Sequence, residues 1–162
     1  MIGLPGAGKT TVGREISRGL GWTFIDLDQQ IADAAGRDIP SIFRREGEAG
    51  FRSREERALR EVAGPDRVVA LGGGVVCRRM NRRRLSRRGS VVWLDVPVDV
   101  ARGRCTVAPG SRPVVAVLSR QPRRLARRLA LYAELGHRID AAAPVCRVVQ
   151  AALDWLSTPR HP

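Results

Sequence analysis

Of the 29 basic residues in this chain only one, Lys9, is a lysine. It stands in Gly3-Leu4-Pro5-Gly6-Ala7-Gly8-Lys9-Thr10, which fits the phosphate-cradling pattern G-x-x-x-x-G-K-[ST]. Glycines let a loop wind tightly and aim its N–H groups at phosphate oxygens, and the positive end of the helix opening at Thr11 faces the same anion. In such a loop Lys9 reaches the outer phosphates as a compact point charge, and the Thr10 hydroxyl ligates Mg²⁺. A chain built almost wholly with arginine has kept a lysine where this chemistry needs an ammonium.

Other residues could serve the same chemistry. Asp26-Leu27-Asp28 lies where an apolar run gives way to a helical one, at the carboxyl edge where open α/β sheets bind ligands. Read as a strand, D-x-D puts both carboxylates on one face, one for a metal-bound water and one to accept a proton from a hydroxyl. The competing reading is a pair of helix-capping aspartates. Arg52 and Glu55 are three apart on a helix, a spacing that lets a carboxylate orient a guanidinium for bidentate grip of an anion. Gly72-Gly73-Gly74 directly follows an apolar run and strips side chains from a strand end, permitting close backbone approach by a ligand. Arg112 stands in a stretch with neither helical nor strand period, where an arginine on a closing loop could meet charge on a transferring phosphoryl group. Arg128 sits among Arg123, Arg124 and Arg127, so taken alone it reads as a solvated helix charge.

Composition bounds the partners. A length of 162 residues suits one domain with a real core. No apolar run approaches a membrane span, and three cysteines, an odd count without C-x-x-C spacing, point to a reducing cytoplasm. A net charge of +13 admits nucleic acid, but aromatics at 4% are too few for a base-stacking platform. The arginine cluster between Arg78 and Arg88 reads as a solvated helix covering the sheet.

Short apolar runs alternate with helical stretches, which predicts an α/β fold with a parallel sheet. Strands are expected at 23–26, 68–71 and 90–96, with a weaker one near 138–140. Helices are expected at 11–20, 27–35, 39–48, 51–63, 78–87, 98–103, 119–134 and 145–157, and a loop at 104–118. The strand feeding the phosphate loop is reduced to Met1 and Ile2. A central parallel strand normally runs about five residues. That shortfall predicts unpaired neighbouring strand edges, and a natural start upstream with an apolar run ending at Ile2.

Taken in order, these motifs resemble the shikimate kinase family, small nucleoside-monophosphate-kinase-like proteins. The match runs from the phosphate loop through D-x-D, the block Ile42-Phe43…Gly47-Glu48…Phe51-Arg52…Glu55, the glycine triplet, Arg112-Pro113 and Arg128-x-x-x-Tyr132. It departs at Val114-Val115, where a Leu-Leu pair is usual, in a slightly long 104–112 stretch, and at Ala130, where proline is customary. The resemblance implies a three-layer α/β/α fold in a single domain over 1–162. Its parts would be a phosphate loop at 3–11, a substrate-binding helical region near 27–60 and a lid near 104–118. It implies phosphate transfer from ATP, with Mg²⁺, to the 3-hydroxyl of shikimate in aromatic amino-acid biosynthesis. Residues 3–11 would bind ATP, with Thr10 and Asp26 at the metal and Asp28 at the reacting hydroxyl. Arg52, Arg128 and the backbone of Gly72, Gly73 and Gly74 would bind the substrate, and Glu55 would steady Arg52. Lys9, Asp28 and Arg112 would be catalytic, with Arg104 stacking on adenine. The protein expected is a cytoplasmic monomer that binds neither nucleic acid nor membrane. The alternatives are a kinase of another small acidic polyol such as gluconate, or a basic nucleic-acid-binding protein with a vestigial nucleotide site.

Overall fold

A computed structural model describes residues 1–106 and 120–158. Four short strands alternate with helices: α1 (Lys9–Leu20), β1 (Thr23–Asp26), α2 (Leu27–Ala35), α3 (Ile39–Glu61), β2 (Arg67–Ala70), α4 (Arg79–Arg88), β3 (Val92–Asp95), α5 (Val98–Thr106), α6 (Pro122–Leu135), β4 (His137–Asp140) and α7 (Val145–Ser157). A 3₁₀ turn, Val75–Cys77, precedes α4.

Strand β1 pairs in parallel with β2, and β3 with β4. Met1 and Ile2 join the two pairs. The Met1 nitrogen donates to the Val69 carbonyl at 2.6 Å, and Leu71 N–H returns a bond to the Met1 carbonyl at 3.0 Å. Ile2 N–H donates to Val92 and its carbonyl accepts from Leu94, at 2.8 and 2.9 Å. The expectation that the neighbouring edges lack partners is therefore corrected. Two residues suffice because each bonds outward to a different neighbour, and the Ile2 side chain is fully buried.

The spatial order is β1–β2–(Met1–Ile2)–β3–β4. The first crossover runs one way across the sheet, and those from β2 and β3 run the other. Right-handed connection therefore puts α1 on the face opposite α4 and α6. Helix α7 packs against α1 and β4 and completes the first layer, while α6 lies on β3, α4 and the 3₁₀ turn. Three layers result, as expected.

Element boundaries moved in two informative places. Helices expected at 39–48 and 51–63 are one element, kinked at Gly47 (φ 68°, ψ −173°), a left-handed φ that glycine adopts at least cost. The kink is braced by Arg54, whose Nε and Nη2 grip Glu46 at 2.7 and 2.9 Å. Helix α5 continues through Thr106, so 104–106 are helical rather than part of the loop. The remainder of that loop falls mainly on 107–119, outside the described residues. The arginines of α4 are partly tied into the structure: Arg78 and Arg84 each bond Glu56 at 3.0 Å, and Arg82 bonds the Val76 carbonyl at 2.7 Å.

A cavity of about 350 Å³ opens at the amino ends of β2 and β3, lined by Met1, Trp22, Leu59, Val68 and Val91 among others. The glycine triplet follows the other, carboxyl end of β2.

Candidate active site

The phosphate loop runs off Ile2 and closes onto α1. Gly8 is its N-cap at φ 88°, a left-handed turn that swings the first N–H groups of α1 toward the loop's hollow. Gly6 is required by packing, since a side chain there would strike the Ala101 carbonyl and Cys105 of α5. Helix α5 thus backs the loop, with Arg104 beside the contact. The Arg104 guanidinium donates to the Ala141 carbonyl at 3.0 Å. Ala7 is buried, Pro5 is half-buried, and Thr11 is exposed.

The Lys9 ammonium folds over the loop and donates to the Gly3 and Leu4 carbonyls at 3.2 and 2.9 Å. Burial pulls its pKa below the usual lysine value, and the nearby Asp28 and Asp26 carboxylates pull it back. The Thr10 hydroxyl donates to Asp26 Oδ2 at 2.8 Å.

The capping reading of D-x-D holds for Asp26. Its Oδ1 caps α2 by accepting from Asp28 and Gln29 N–H, at 3.2 and 3.4 Å, while Oδ2 serves Thr10. The strand-like geometry expected for the pair is corrected, because α2 begins at Leu27 and Asp28 lies in its first turn. The two carboxylates converge across the strand–helix junction.

Each glycine of the triplet makes room for a different group. A Cβ on Gly72 would stand 2.7 Å from Asp28 Oδ1 and 3.2 Å from Glu55 Oε1. On Gly73 it would press on Pro5, the Gly3 carbonyl and the Tyr132 hydroxyl, all within 3.3 Å. On Gly74 it would collide with the Arg52 guanidinium. Three consecutive glycines are explained by three crowded neighbours.

Glu55 is fully buried, and both its oxygens accept from Arg52 Nη1, at 3.0 and 2.9 Å. Burial raises the Glu55 pKa and Arg52 partly counters it. Burial works against the Arg52 charge, but Glu55 holds its pKa above the usual arginine value. Arg128, on α6, has a buried Nε with no hydrogen-bond partner among the described residues. One turn later Tyr132 reaches the Gly73 carbonyl. Arg112 lies outside the described residues.

The structure therefore brings together residues 3–10, Asp26, Asp28, Arg52, Glu55, Gly72–Gly74 and Arg128. Sequence reasoning assigned no task to Tyr132 or to Asn81, which is fully buried and donates to the Val75 carbonyl at 3.1 Å, pinning the turn after the glycines. Asn81 carried a signal, as an uncharged polar residue inside an arginine-rich helix. Tyr132 carried one too, as the chain's single tyrosine.

A phosphate loop on the central strand of a parallel sheet, facing a carboxylate and a paired arginine, defines a P-loop phosphotransferase fold. Comparison with known proteins narrows this. The sequence profile described as shikimate kinase matches residues 5–156. A shikimate kinase of Gloeobacter violaceus is 42% identical over 161 residues, spanning 97% of this chain and 90% of that protein. The solved shikimate kinase of Acinetobacter baumannii in complex with shikimate superposes with a TM-score of 0.87 at 38% identity, over 96% of this chain and 89% of the other. The Bacteroides thetaiotaomicron shikimate kinase gives 0.88 at 31% identity, over 97% and 98%. The chain belongs to the shikimate kinase family.

Proposed function

We propose that this chain transfers the γ-phosphoryl group of ATP to the 3-hydroxyl of shikimate, releasing ADP and shikimate 3-phosphate. The observation that carries the reading is the glycine triplet, which places Asp28, the Arg52–Glu55 pair and the phosphate loop against one short turn. Phosphoryl transfer depends mostly on positioning and on neutralising spread charge, and these groups supply both.

Lys9 leaves the Gly3 and Leu4 carbonyls for the phosphates. Asp28 holds the acceptor hydroxyl and takes its proton as that oxygen bonds to phosphorus and the bond to the bridging oxygen of ADP breaks. Arg52, fixed by Glu55, and Arg128, whose buried Nε lacks a partner among the described residues, grip the acid's carboxylate beside the Gly73 backbone. Arg112 stabilises the charge that develops in transfer, and Arg104 flanks the adenine. The Thr10 hydroxyl and Asp26 carboxylate, 2.8 Å apart, are hard oxygen donors suited to Mg²⁺ and its water shell. The ion neutralises charge on the outer phosphates when bound.

A monomeric, cytoplasmic, single-domain enzyme belongs to the same proposal. Cys77, Cys105 and Cys146 are held in no disulfide, which supports a reducing compartment.

The test is coupled ADP release with shikimate, quinate, gluconate or no acceptor. Shikimate is expected to drive turnover far above the others. Preference for gluconate, or ADP release indifferent to acceptor, refutes the reading. Salt-dependent DNA retention without turnover would favour the nucleic-acid alternative.

A further inference from the structure

We propose that Tyr132 is a positioning residue that ties the acceptor side of the site to the phosphate loop through its hydroxyl. The inference rests on the function proposed above. Tyr132 is fully buried on α6 and is the only tyrosine in the chain. Its hydroxyl reaches the Gly73 carbonyl of the glycine triplet and lies 3.2 Å from the Gly3 carbonyl of the phosphate loop. Gly3 also accepts from Lys9 at 3.2 Å, and Arg128 stands one turn earlier on α6. A phenol has one proton to donate. It can therefore donate to either of two carbonyls far apart in sequence.

Packing alone does not account for this hydroxyl. The ring lies 6.1 Å from Trp93 on β3, a contact that phenylalanine would make equally well. A buried hydroxyl is costly unless it is bonded, so it is retained where the bonds have a task. Burial pushes the phenol pKa up, which keeps it a donor at neutral pH. The task the geometry points to is spacing. One hydroxyl within reach of both Gly3 and Gly73 sets how far the loop that grips phosphate stands from the turn that lines the acceptor. Transfer is sensitive to that separation, and binding of either ligand alone is much less so.

Tyr132→Phe removes the tie and keeps the ring. The expected result is a kcat lowered roughly tenfold or more, since small misplacements of reacting groups slow transfer steeply. Both KM values should stay within about twofold of the parent, as expected when the loss falls on the transition state alone. A kcat within twofold of the parent overturns the proposal. So does a rise in shikimate KM at unchanged kcat, which would make the hydroxyl a support for Arg128 in binding only.

A second measurement holds even if the variant folds poorly. Biosynthetic replacement of tyrosine by 3-fluorotyrosine labels position 132 alone and gives a single fluorine resonance. That resonance should move on adding shikimate and, separately, on adding the non-hydrolysable analogue AMP-PNP. A resonance indifferent to either one overturns the proposal. Failure of the functional reading would appear instead as a parent protein inert toward shikimate. An active parent with a silent resonance sinks this inference only.

Discussion

Glu55→Ala is the substitution in which the structure predicts stability and substrate binding most directly together. Glu55 is fully buried, and the Arg52 side chain it holds is only 15% exposed. The next carboxylate available to Arg52 is Glu48, 3.5 Å away on a side chain that is 72% exposed. Removing one partner of a buried pair costs about 3–5 kcal/mol, because the other charge is left uncompensated. Alanine keeps neither accepting oxygen, so that loss stands undiminished. For a chain of this length it lowers the thermal midpoint by roughly 6–20 °C. The control is Glu61→Gln, which breaks the Arg57–Glu61 pair, 77% and 54% exposed, and should leave the midpoint almost unmoved. In steady-state kinetics Glu55→Ala should raise the KM for shikimate severalfold and leave that for ATP near the parent value. A midpoint within about 2 °C of the parent, or equal rises in both KM values, would refute the reasoning.

The same group predicts a pH dependence. Burial raises the Glu55 pKa, so the folded protein takes up this proton at pH values above the ordinary 4.5, where an exposed glutamate is still ionised. A raised carboxylate pKa means that the folded state binds the proton more tightly than the unfolded chain does. Acidification through that range therefore does not lower stability on Glu55's account. It does loosen Arg52. The shikimate KM should climb in mild acid before the thermal midpoint falls, and Glu55→Gln should flatten that climb.

Lys9→Arg keeps the charge but puts a broad planar fork where an ammonium fits between the Gly3 and Leu4 carbonyls, so turnover should fall by about two orders of magnitude in the ADP-release assay; activity within a few-fold of the parent would remove the assigned role. Asp28→Asn cannot accept a proton and should depress kcat strongly while nucleotide affinity, measured by calorimetry, stays nearly intact; a collapse of ATP affinity would move Asp28 to the nucleotide site. Gly74→Ala drives a methyl into the Arg52 guanidinium and should raise the shikimate KM with little change in that for ATP, and parent-like kinetics would show that Arg52 has another way to reach the acid.

The sequence carried the site's parts because each is written in a local pattern. The phosphate loop needs glycines at fixed offsets from Lys9. The triplet at 72–74 ends an apolar run, and Arg52 with Glu55 shares one helix face. Strand β1 and helices α2 and α7 fell close to their expected bounds, since period and capping residues lie within each segment. Contacts between distant segments were not legible. The Gly47 kink depends on Arg54 reaching back eight residues to Glu46, past the range of helical spacing rules. The Tyr132 bond to Gly3 spans 129 residues and leaves no periodic trace. Helix α5 outran its expected end because Cys105 packs against Gly6, a contact that only the tertiary fold creates.

Asp26 shows how one carboxylate can serve two partners. Its sequence context offered a helix cap and a metal-side carboxylate as competing readings. The carboxylate has two oxygens, and they divide the work: Oδ1 takes the first N–H groups of α2 and Oδ2 takes the Thr10 hydroxyl. Capping fixes the rotamer that aims Oδ2 at Thr10 of the phosphate loop, so the structural role is compatible with the metal-side role proposed above. The same logic covers Met1 and Ile2, where a strand judged too short still completes the ladder because each residue bonds to a different neighbour. In both cases local pattern counted roles per residue, whereas the fold assigns them per polar atom.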